Sequence, residues 1–302
     1  MAEHTTTLVD EALLRQWSLP MPSDEGDKEE RGRLLVIGGS REMPGAVILA
    51  ATAAMRAGAG KLAIATGASV AQLVALAIPE SRVIGLPETE DGGVEASAAR
   101  FLESMRGRLD AVLIGPGMQD EPAICEFVHA LLPMLEGVRV VLDAAAMDVV
   151  RNAEAGANGG FLGRYGAQVL LTPHAGEMAH LSGASKEEIT ADPLPAALRM
   201  AQQWRATVAL KGPVTFIAAP DAKTWKHEGG NIGLAASGSG DTLAGIIVGL
   251  AARGATLEQA GAWGVALHAR AGDVLARRSG PLGYLTRDLA AEIPMLMHRL
   301  AS

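Results

Sequence analysis

Cysteine and aromatic residues are scarce in this chain. Among 302 residues there is one cysteine, Cys125, and Phe, Trp and Tyr together make up 3% of the composition. A single cysteine excludes an intrachain disulfide framework and a cysteine-based zinc cluster, and it favours a cytosolic protein. With so few aromatic side chains, we expect a core of Ala, Val, Leu and Ile, on which helices and sheet can pack closely.

Clusters of positive charge and long apolar runs are also lacking. The formal net charge is −8 and no run of Lys and Arg stands out, which argues against nucleic acid or a membrane surface as a partner. Apolar stretches such as residues 46–55 are much shorter than the ~20 residues that a membrane span needs. The N-terminal residues lack the pattern of a signal peptide. We therefore expect a cytoplasmic protein, in which local geometry must hold any anionic ligand.

Hydrophobic residues make up 49% of the chain, which is enough for a large core. We expect one domain over residues 1–302. Within it, residues 1–30 are predicted to form a short helix, Val9 to Trp17, and a connection rich in proline and charge.

Short apolar runs alternate with helical patterns along much of the chain. Strands are predicted at residues 33–40, 61–66, 81–86, 110–117, 138–144 and 168–174. Helices are predicted between most of them, at residues 46–58, 69–77, 96–105 and 122–135, and again at 257–277 and 285–300. This alternation predicts an α/β protein with a parallel sheet that helices cover on both faces. Two closely spaced strands, 206–212 and 215–220, fit a hairpin at one edge of the sheet.

Ligands of open parallel sheets bind beyond the carboxyl ends of the strands, and polar residues follow three of the predicted strands. Asp143 either caps the next helix or lies near bound magnesium or substrate. His174 and Glu177 stand three residues apart at a predicted helix start, where they either face one ligand or form a cap. Lys211 is either a site residue or a solvated lysine in a hairpin. Their positions at successive strand ends favour one shared site.

The stretch from Asn231 to Gly254 combines a loop rich in glycine and serine with a helical pattern that begins at Asp241. A glycine turn that leads into a helix presents backbone N–H groups and the positive end of the helix dipole to an anion. The carboxylate of Asp241 is either a helix cap or a base held beside that anion. We favour the base, because the glycines before Asp241 are more than a cap requires.

Seven segments together carry a resemblance to a known family. They are GRLLVIGGSREMPGA (32–46), GAGKLAIAT (58–66), GPGM (115–118), LDAAAMD (142–148), LLTPHAGEMAHL (170–181), ALKGPVTFIA (209–218) and GNIGLAASGSGDTLAGIIVGLAARG (230–254). In this order they resemble the ADP- or ATP-dependent NAD(P)H-hydrate dehydratases of the ribokinase-like superfamily, from about Lys28 to about Leu300. The resemblance implies a ribokinase-like three-layer α/β/α fold with a mostly parallel central sheet. It also implies a stand-alone dehydratase without the epimerase domain that is fused to many members.

The resemblance assigns roles residue by residue. Contacts with the hydrated nicotinamide nucleotide are implied for Ala46, Gly117, His174 and Asp241. Contacts with the phosphate-donor nucleotide are implied for Lys211, Gly212, Pro213, Val214, Thr215, Ser239 and Gly240. Asp241 is the implied catalytic base. Glu177, in His174-Ala-Gly-Glu177, matches the superfamily's N-x-x-E magnesium motif with the Asn changed, which makes it the implied metal residue.

The implied reaction is the ADP- or ATP-dependent dehydration of the S epimer of NAD(P)H hydrate to NAD(P)H, with Mg²⁺ as cofactor and AMP or ADP and phosphate as products. The family is often multimeric, so the resemblance implies a homo-oligomer, for example a tetramer. The chain departs from the family pattern at two positions: Ala145 replaces a usual Asp, and Ser237 a usual glycine. The sequence does not distinguish ADP from ATP, or NADH hydrate from NADPH hydrate.

Two other functions fit the same residues. A kinase of a small hydroxylated vitamin precursor or sugar would use the same aspartate and anion site, although the TPH-x-GE segment favours the dehydratase. A nucleotide-binding regulator without turnover is the alternative that Ala145 suggests. The products distinguish them, because a kinase forms a phosphorylated substrate whereas the dehydratase releases phosphate and restores the absorbance of reduced nicotinamide.

Overall fold

A computed structural model describes residues 5–23, 29–151, 162 and 168–301. Within these residues, ten strands form one sheet. In chain order they are β1 (Thr7–Leu8), β2 (Arg33–Ile37), β3 (Lys61–Gly67), β4 (Arg82–Leu86), β5 (Ala111–Ile114), β6 (Arg139–Leu142), β7 (Gln168–Leu171), β8 (Thr207–Leu210), β9 (Val214–Ala218) and β10 (Thr224–Glu228). Their order across the sheet is β1-β10-β9-β8-β7-β6-β5-β2-β3-β4. Strands β2 to β8 run parallel, and β9 runs antiparallel to both β8 and β10.

Helices connect and follow these strands. The α-helices of the described residues are α1 (Glu11–Gln16), α2 (Pro44–Arg56), α3 (Ala71–Ala77), α4 (Glu121–Leu131), α5 (Ala175–Ser182), α6 (Lys186–Ala191), α7 (Pro193–Trp204), α8 (Ser239–Ala252), α9 (Leu257–Ser279) and α10 (Thr286–Ala301). Four 3₁₀ segments lie at Ala96–Met105, Leu132–Met134, Ala144–Val150 and Ile232–Leu234. No helix in the described part of the chain is long and apolar enough to span a bilayer.

The sheet separates two hydrophobic cores, because successive side chains of a strand point to opposite faces. In β2, Leu34 and Val36 pack into a core with residues of α2, α8, α9 and α10. Leu35 and Ile37 pack into the core on the other face, with residues of α4 and α7. The predicted α/β fold, a mostly parallel sheet covered on both faces, is confirmed.

Two glycines bring α8 into backbone contact with α2. A Cβ on Gly245 would lie 2.2 Å from the carbonyl oxygen of Ala50, and one on Gly249 would lie 2.5 Å from that of Ala54. Such distances are far below van der Waals contact, so a side chain at either position would push the helices apart. The glycines therefore fix how close α8 lies to α2, and with it the position of the glycine turn at the N-terminus of α8.

The strand order reverses between β2 and β5, since the chain runs outward from β2 to β4 and then returns to β5. Ligands of open α/β sheets bind in the crevice at such a point. Here the chain is held tightly: the N–H of Gly39 donates to the carbonyl of Pro116 at 2.7 Å. Gly39 and Gly117 both have positive φ angles, of 77° and 67°, which glycine adopts without steric cost.

The structure corrects several predicted boundaries. Six of the predicted strands end earlier, at Ile37, Ile114, Leu142, Leu171, Leu210 and Ala218, because loops that contain glycine, proline or polar residues follow them. Residues 96–105 form a 3₁₀ rather than an α-helix, a distinction that apolar spacing does not make.

Two strands that the sequence analysis does not predict, β1 and β10, lie at the hairpin edge of the sheet. The hairpin of β8 and β9 is confirmed, but it is not at the edge, because β10 and β1 lie outside it. No sequence pattern predicts β1, which has two residues, or β10, which is short and partly polar. The helix predicted from Val9 to Trp17 is shorter, Glu11–Gln16, and Asp10 caps it.

Candidate active site

A cavity of about 890 Å³ lies where β6, β7 and β8 end and α8 begins. Nine of the predicted site residues line it: His174, Glu177, Lys211, Gly212, Pro213, Thr215, Ser239, Gly240 and Asp241. Asp143 lines it as well. The strand ends and the glycine turn therefore meet at one cavity, although up to 98 residues separate them in the sequence.

Lys211 stands among the carboxylates of this cavity. Its Nζ lies 3.5 Å from Asp143 Oδ1 and 3.7 Å from Glu177 Oε2, and 19% of its side chain is exposed. Burial disfavours the charged amine, but the negative charges of Asp143 and Glu177 outweigh burial, so that the pKa of Lys211 rises above its usual value. Lys211 is therefore a fixed cation within the site rather than a solvated lysine in a hairpin.

Asp241 lies in the first turn of α8 and faces the same cavity. Gly238, not Asp241, occupies the N-cap position. Burial, reinforced by the charge of Asp143 and only partly offset by Lys211, raises the pKa of Asp241 to about 6. A carboxylate with a pKa near neutrality is suited to accept a proton in a reaction. The geometry thus favours the base over the cap.

The glycine turn before Asp241 offers fewer amides than the sequence suggests. Gly238 adopts a left-handed conformation with φ 84°. The N–H of Ser239 donates to the carbonyl of Ala236 at 3.1 Å, so it is occupied in this conformation. The first N–H groups of a helix lack acceptors within the helix, which leaves Gly240 and Asp241 to present theirs to the cavity. Lys211 adds a cation there, since a methyl group on Gly240 would lie 3.4 Å from Lys211 Nζ.

Asp143 follows β6 and does not cap the 3₁₀ segment behind it. Its carboxylate is 3% exposed and accepts a hydrogen bond from the Thr172 hydroxyl at 2.5 Å. The next residue, Ala144, has a φ of 48°, a left-handed conformation that costs a residue with a Cβ about 1–3 kcal/mol. The hydrogen bond from Thr172 and the ion pair with Lys211 hold Asp143 at the cavity wall and offset this strain.

His174 and Glu177 form a capping box at the start of α5. Nδ1 of His174 accepts from the amides of Gly176 and Glu177, and Glu177 Oε2 accepts from the His174 amide at 2.7 Å. The cap interpretation is therefore correct, and it coexists with the site, because both side chains also line the cavity. A parallel β-bridge pairs the backbone of His174 with that of Lys211, so the segments that follow β7 and β8 lie side by side.

Three predicted site residues do not line this cavity. Ala46 and Gly117 lie against each other at the strand-order reversal, where a Cβ on Gly117 would come within 2.6 Å of the Ala46 Cβ. Val214 is the first residue of β9. Contacts of these residues with a substrate or nucleotide stay predictions.

Sequence reasoning missed two buried histidines of the cavity wall, His227 and His268. His268 Nε2 lies 3.0 Å from the Ser239 hydroxyl. Burial lowers the pKa of His268 to about 4, and the hydrogen bond with Ser239, which raises the pKa, only partly offsets burial. His268 is thus neutral near pH 7. It stands in the middle of α9 with no neighbouring motif, so nothing in the sequence distinguished it from an ordinary core residue.

Comparison with known proteins agrees with the geometry. A family model described as NAD(P)H-hydrate dehydratase matches residues 34–295. The chain belongs to this family. An ADP-dependent (S)-NAD(P)H-hydrate dehydratase of Xanthomonas campestris is 46% identical over 281 residues, which cover 93% of each chain. The protein of the same description from Neisseria meningitidis is 32% identical and covers 92% of this chain and 89% of its own. The chain spans 52% of a 39% identical bifunctional NAD(P)H-hydrate repair enzyme from Moorella thermoacetica.

Solved structures of the dehydratase family have the same fold. The ADP/ATP-dependent NAD(P)H-hydrate dehydratase from Bacillus subtilis, co-crystallised with ATP and Mg²⁺, has a TM-score of 0.83 at 28% identity. It covers 98% of this chain and 99% of its own. A ribokinase-like superfamily protein from Enterococcus faecalis has a TM-score of 0.80 at 25% identity, with 98% and 96% covered. The predicted ribokinase-like fold is therefore confirmed.

Proposed function

We propose that this protein dehydrates the S epimer of NAD(P)H hydrate to NAD(P)H, with ADP or ATP as the second substrate. The observation that supports this proposal most strongly is the position of Asp241. Its carboxylate, which has a raised pKa, lies in one cavity with the free N-terminal amides of α8 and the Lys211 ammonium. A base and an anion site that share one helix end are what transfer of a phosphoryl group to a hydroxyl requires.

The chemistry follows from the substrate. The hydroxyl on carbon 6 of the reduced ring is a poor leaving group, so it must first be activated. Asp241 accepts the hydroxyl proton while the oxygen bonds to the terminal phosphorus of the nucleotide, and the bond from phosphorus to the bridging oxygen breaks to release AMP or ADP. The lone pair of the ring nitrogen then expels phosphate, and loss of a proton from carbon 5 restores the double bond of NAD(P)H.

The other residues of the cavity bind and stabilise charge. The amides of Gly240 and Asp241, at the positive end of the α8 dipole, are directed at the transferring phosphoryl group. Lys211 holds the donor phosphates as a point charge. The segment from Lys211 to Thr215 and the residues Ser239 and Gly240 bind the donor nucleotide, and Ala46, Gly117 and His174 bind the hydrated nucleotide.

A magnesium ion fits the charge of the site. The carboxylates of Asp143, Glu177 and Asp241 with the Lys211 ammonium leave two negative charges. These carboxylates do not converge on one point as closely as a ligand cage requires. We propose that the Glu177 carboxylate binds the ion. Mg²⁺ usually binds one or two carboxylates of the protein and completes its shell with water and substrate phosphates. When bound, Mg²⁺ would neutralise charge on the nucleotide phosphates.

The pH dependence of kcat/KM is expected to report Asp241, because this quantity follows the ionisation of the free enzyme. Because the base must be deprotonated and its pKa is about 6, kcat/KM should rise about tenfold per pH unit below pH 6 and level off above pH 7. Steady-state rates in buffers of constant ionic strength give this profile. A midpoint near pH 4 would mean that Asp241 has the pKa of an exposed carboxyl, which contradicts the assignment.

Replacing Lys211 by Ala is expected to raise the apparent KM for ADP or ATP by more than the KM for the hydrated nucleotide, because the fixed cation near the donor phosphates is lost. The midpoint of the pH profile should also move upward, since Lys211 lowers the pKa of Asp241. Lys223→Ala is the control, as this lysine pairs with Asp221 at the surface. An unchanged KM for the donor in Lys211→Ala would contradict the placement of the donor.

One assay tests the function itself. Hydrated NADH or NADPH is mixed with ADP or ATP, with and without Mg²⁺, and the absorbance of reduced nicotinamide is followed while phosphate is measured. Equal amounts of NAD(P)H and phosphate are expected. Accumulation of a stable phosphorylated product would indicate a kinase, and nucleotide binding without either product would indicate a regulator.

We further propose that residues 1–302 act as one domain, in a cytoplasmic homo-oligomer such as a tetramer. Exposed apolar side chains support an interface: Leu73 and Leu76 of α3 are 59% and 81% exposed. The single cysteine supports a reducing compartment. Sedimentation equilibrium of the full chain is expected to give a multiple of 31.1 kDa, and a monomer would contradict the oligomer.

A further inference from the structure

A second cavity, of about 340 Å³, lies beside the active site. Three side chains converge on it from different elements: Glu121 from the first turn of α4, Asp148 from the 3₁₀ segment Ala144–Val150, and His180 from α5. One ligand atom from each lies within 4.8 Å of the other two. Neither the catalytic proposal nor the magnesium proposal uses any of these three residues.

The buried carboxylate of this cluster lacks a hydrogen-bond donor. Asp148 is 8% exposed, and its Oδ1 receives no hydrogen bond of acceptable geometry from the residues that the structure describes. Two cationic or polar groups are near this oxygen, His180 Nε2 at 2.8 Å and Arg151 Nη1 at 3.9 Å, but neither completes a hydrogen bond to it. A buried carboxylate oxygen without a donor costs free energy unless another positive group satisfies it.

The ring nitrogen Nε2 of His180 contacts a hydrogen-bond acceptor and a hydrogen-bond donor at the same time, and it cannot satisfy both. Its Nε2 lies 2.8 Å from Asp148 Oδ1 and 3.0 Å from Arg151 Nη1. With a proton, Nε2 suits the carboxylate but opposes the N–H of Arg151. Without one, it accepts from Arg151 but directs its lone pair toward the carboxylate. A metal ion between the imidazole and the carboxylate removes the conflict, because it accepts lone pairs from both.

We propose that Glu121, Asp148 and His180 bind a divalent transition-metal ion of the Zn²⁺ or Mn²⁺ class. Oxygen and nitrogen ligands of a tetrahedral ion with bonds of ~2.1 Å lie about 3.4 Å apart. His180 Nε2 and Asp148 Oδ1 are closer than this, at 2.8 Å, and the three ligand atoms all lie within 4.8 Å of one another. Glu121 and His180 are exposed, so rotation of their side chains can bring all three atoms to the ligand spacing. Arg151, whose side chain is 46% exposed, can turn into solvent when the ion enters.

The donor set distinguishes this ion from the magnesium proposed at Glu177. One imidazole and two carboxylates suit Zn²⁺ and Mn²⁺, whereas Mg²⁺ prefers an all-oxygen shell. The ion would tie α4 and the 3₁₀ segment to α5, the helix whose first turn carries Glu177. His174, Glu177 and Ala144 line both cavities. The site therefore acts as a clamp behind one wall of the active site.

The test measures metal binding directly. Chelator-treated full-length protein, in saturating Mg²⁺, is titrated with ZnCl₂, MnCl₂ or CoCl₂ by calorimetry, and bound metal is counted after dialysis. One equivalent of Zn²⁺ or Mn²⁺ is expected, and Co²⁺ should give visible d–d absorption. His180→Ala and Glu121→Gln change exposed side chains and should each weaken binding by at least about tenfold, the loss that even outer-shell changes cause. Melting temperature should rise with Zn²⁺ in the wild type only.

His129→Ala is the matched control. His129 is also a histidine, but it lies in α4, eight residues beyond Glu121 and hence about 12 Å along the helix. The variant should therefore bind the ion as the wild type does. Absence of stoichiometric binding to the wild type would overturn the proposal. Binding that His180→Ala and Glu121→Gln leave unchanged would overturn it equally, since the ion would then sit elsewhere.

Discussion

Replacing Asp241 by Asn is expected to lower kcat of the dehydration by about 10²–10⁴-fold, the usual contribution of a positioned general base. The amide has nearly the same shape, so the cavity and the glycine turn stay intact. KM for the nucleotide should change little, because the amides of α8 and Lys211 remain in place. Steady-state kinetics with hydrated NADH at saturating ADP or ATP measure both constants.

The same substitution should make the fold more stable at neutral pH. The pKa of Asp241 is about 6 in the folded protein, above the 3.8 of an exposed aspartate. The folded state therefore binds the proton more tightly, and this favourable contribution is lost as the pH rises from about 4 through about 6. Above pH 7 the buried charge costs roughly 1–3 kcal/mol, which Asn removes. Urea unfolding at pH 5 and pH 8 should show the gain chiefly at pH 8.

A matched control is Asp10→Asn, which changes a carboxylate at the start of α1 that is exposed and caps the helix. Asn caps helices as well as Asp does, so neither turnover nor the pH dependence of stability should change by much. Near-normal turnover in Asp241→Asn would remove this residue from the role of base. Lost turnover without the gain in stability at pH 8 would mean that Asp241 is not desolvated.

Replacing Gly245 by Ala is expected to destabilise the protein by about 3 kcal/mol or more, because the new methyl group would lie 2.2 Å from the Ala50 carbonyl oxygen. Backbone on both sides of the contact must move, as overpacked sites do at such a cost. The melting temperature should fall by roughly 5–10 °C. Since α8 carries the glycine turn, kcat should also fall at temperatures where the variant is folded. Calorimetry and steady-state rates measure the two effects.

Gly45→Ala provides the comparison on the partner helix. Gly45 lies in the first turn of α2, and a Cβ built there meets no atom within 4 Å. The substitution should therefore leave stability unchanged or raise it by up to about 1 kcal/mol, through the higher helix propensity of alanine. Equal melting temperatures for the two variants would show that α2 and α8 are not held by the close contact at Gly245.

Local patterns predicted the parallel part of the sheet well. Strands such as β2 and β6 are apolar after their first residue, an arginine, and a run of that kind is stable only when both of its faces are covered. The glycine turn before Asp241 was equally predictable. Gly238 adopts a left-handed conformation, which glycine takes without steric cost, so a glycine in the sequence indicates such a turn directly. Strand β10 escaped detection, since its buried and partly exposed residues do not alternate and it is held by pairing with β9 and β1.

The sequence alone determined which groups end successive strands and which helix begins with an anion-binding turn, because periodicity and backbone preference act over a few residues. Only the tertiary structure decided what those groups do to one another. The pKa of Asp241 rises because folding buries it next to Asp143, and Lys211 is a fixed cation because β8 places it between two carboxylates. The cluster at Asp148 and His180 likewise exists only after α5 packs on the 3₁₀ segment. Desolvation and Coulomb energy depend on distances between residues far apart in the chain, and these distances are set by the fold.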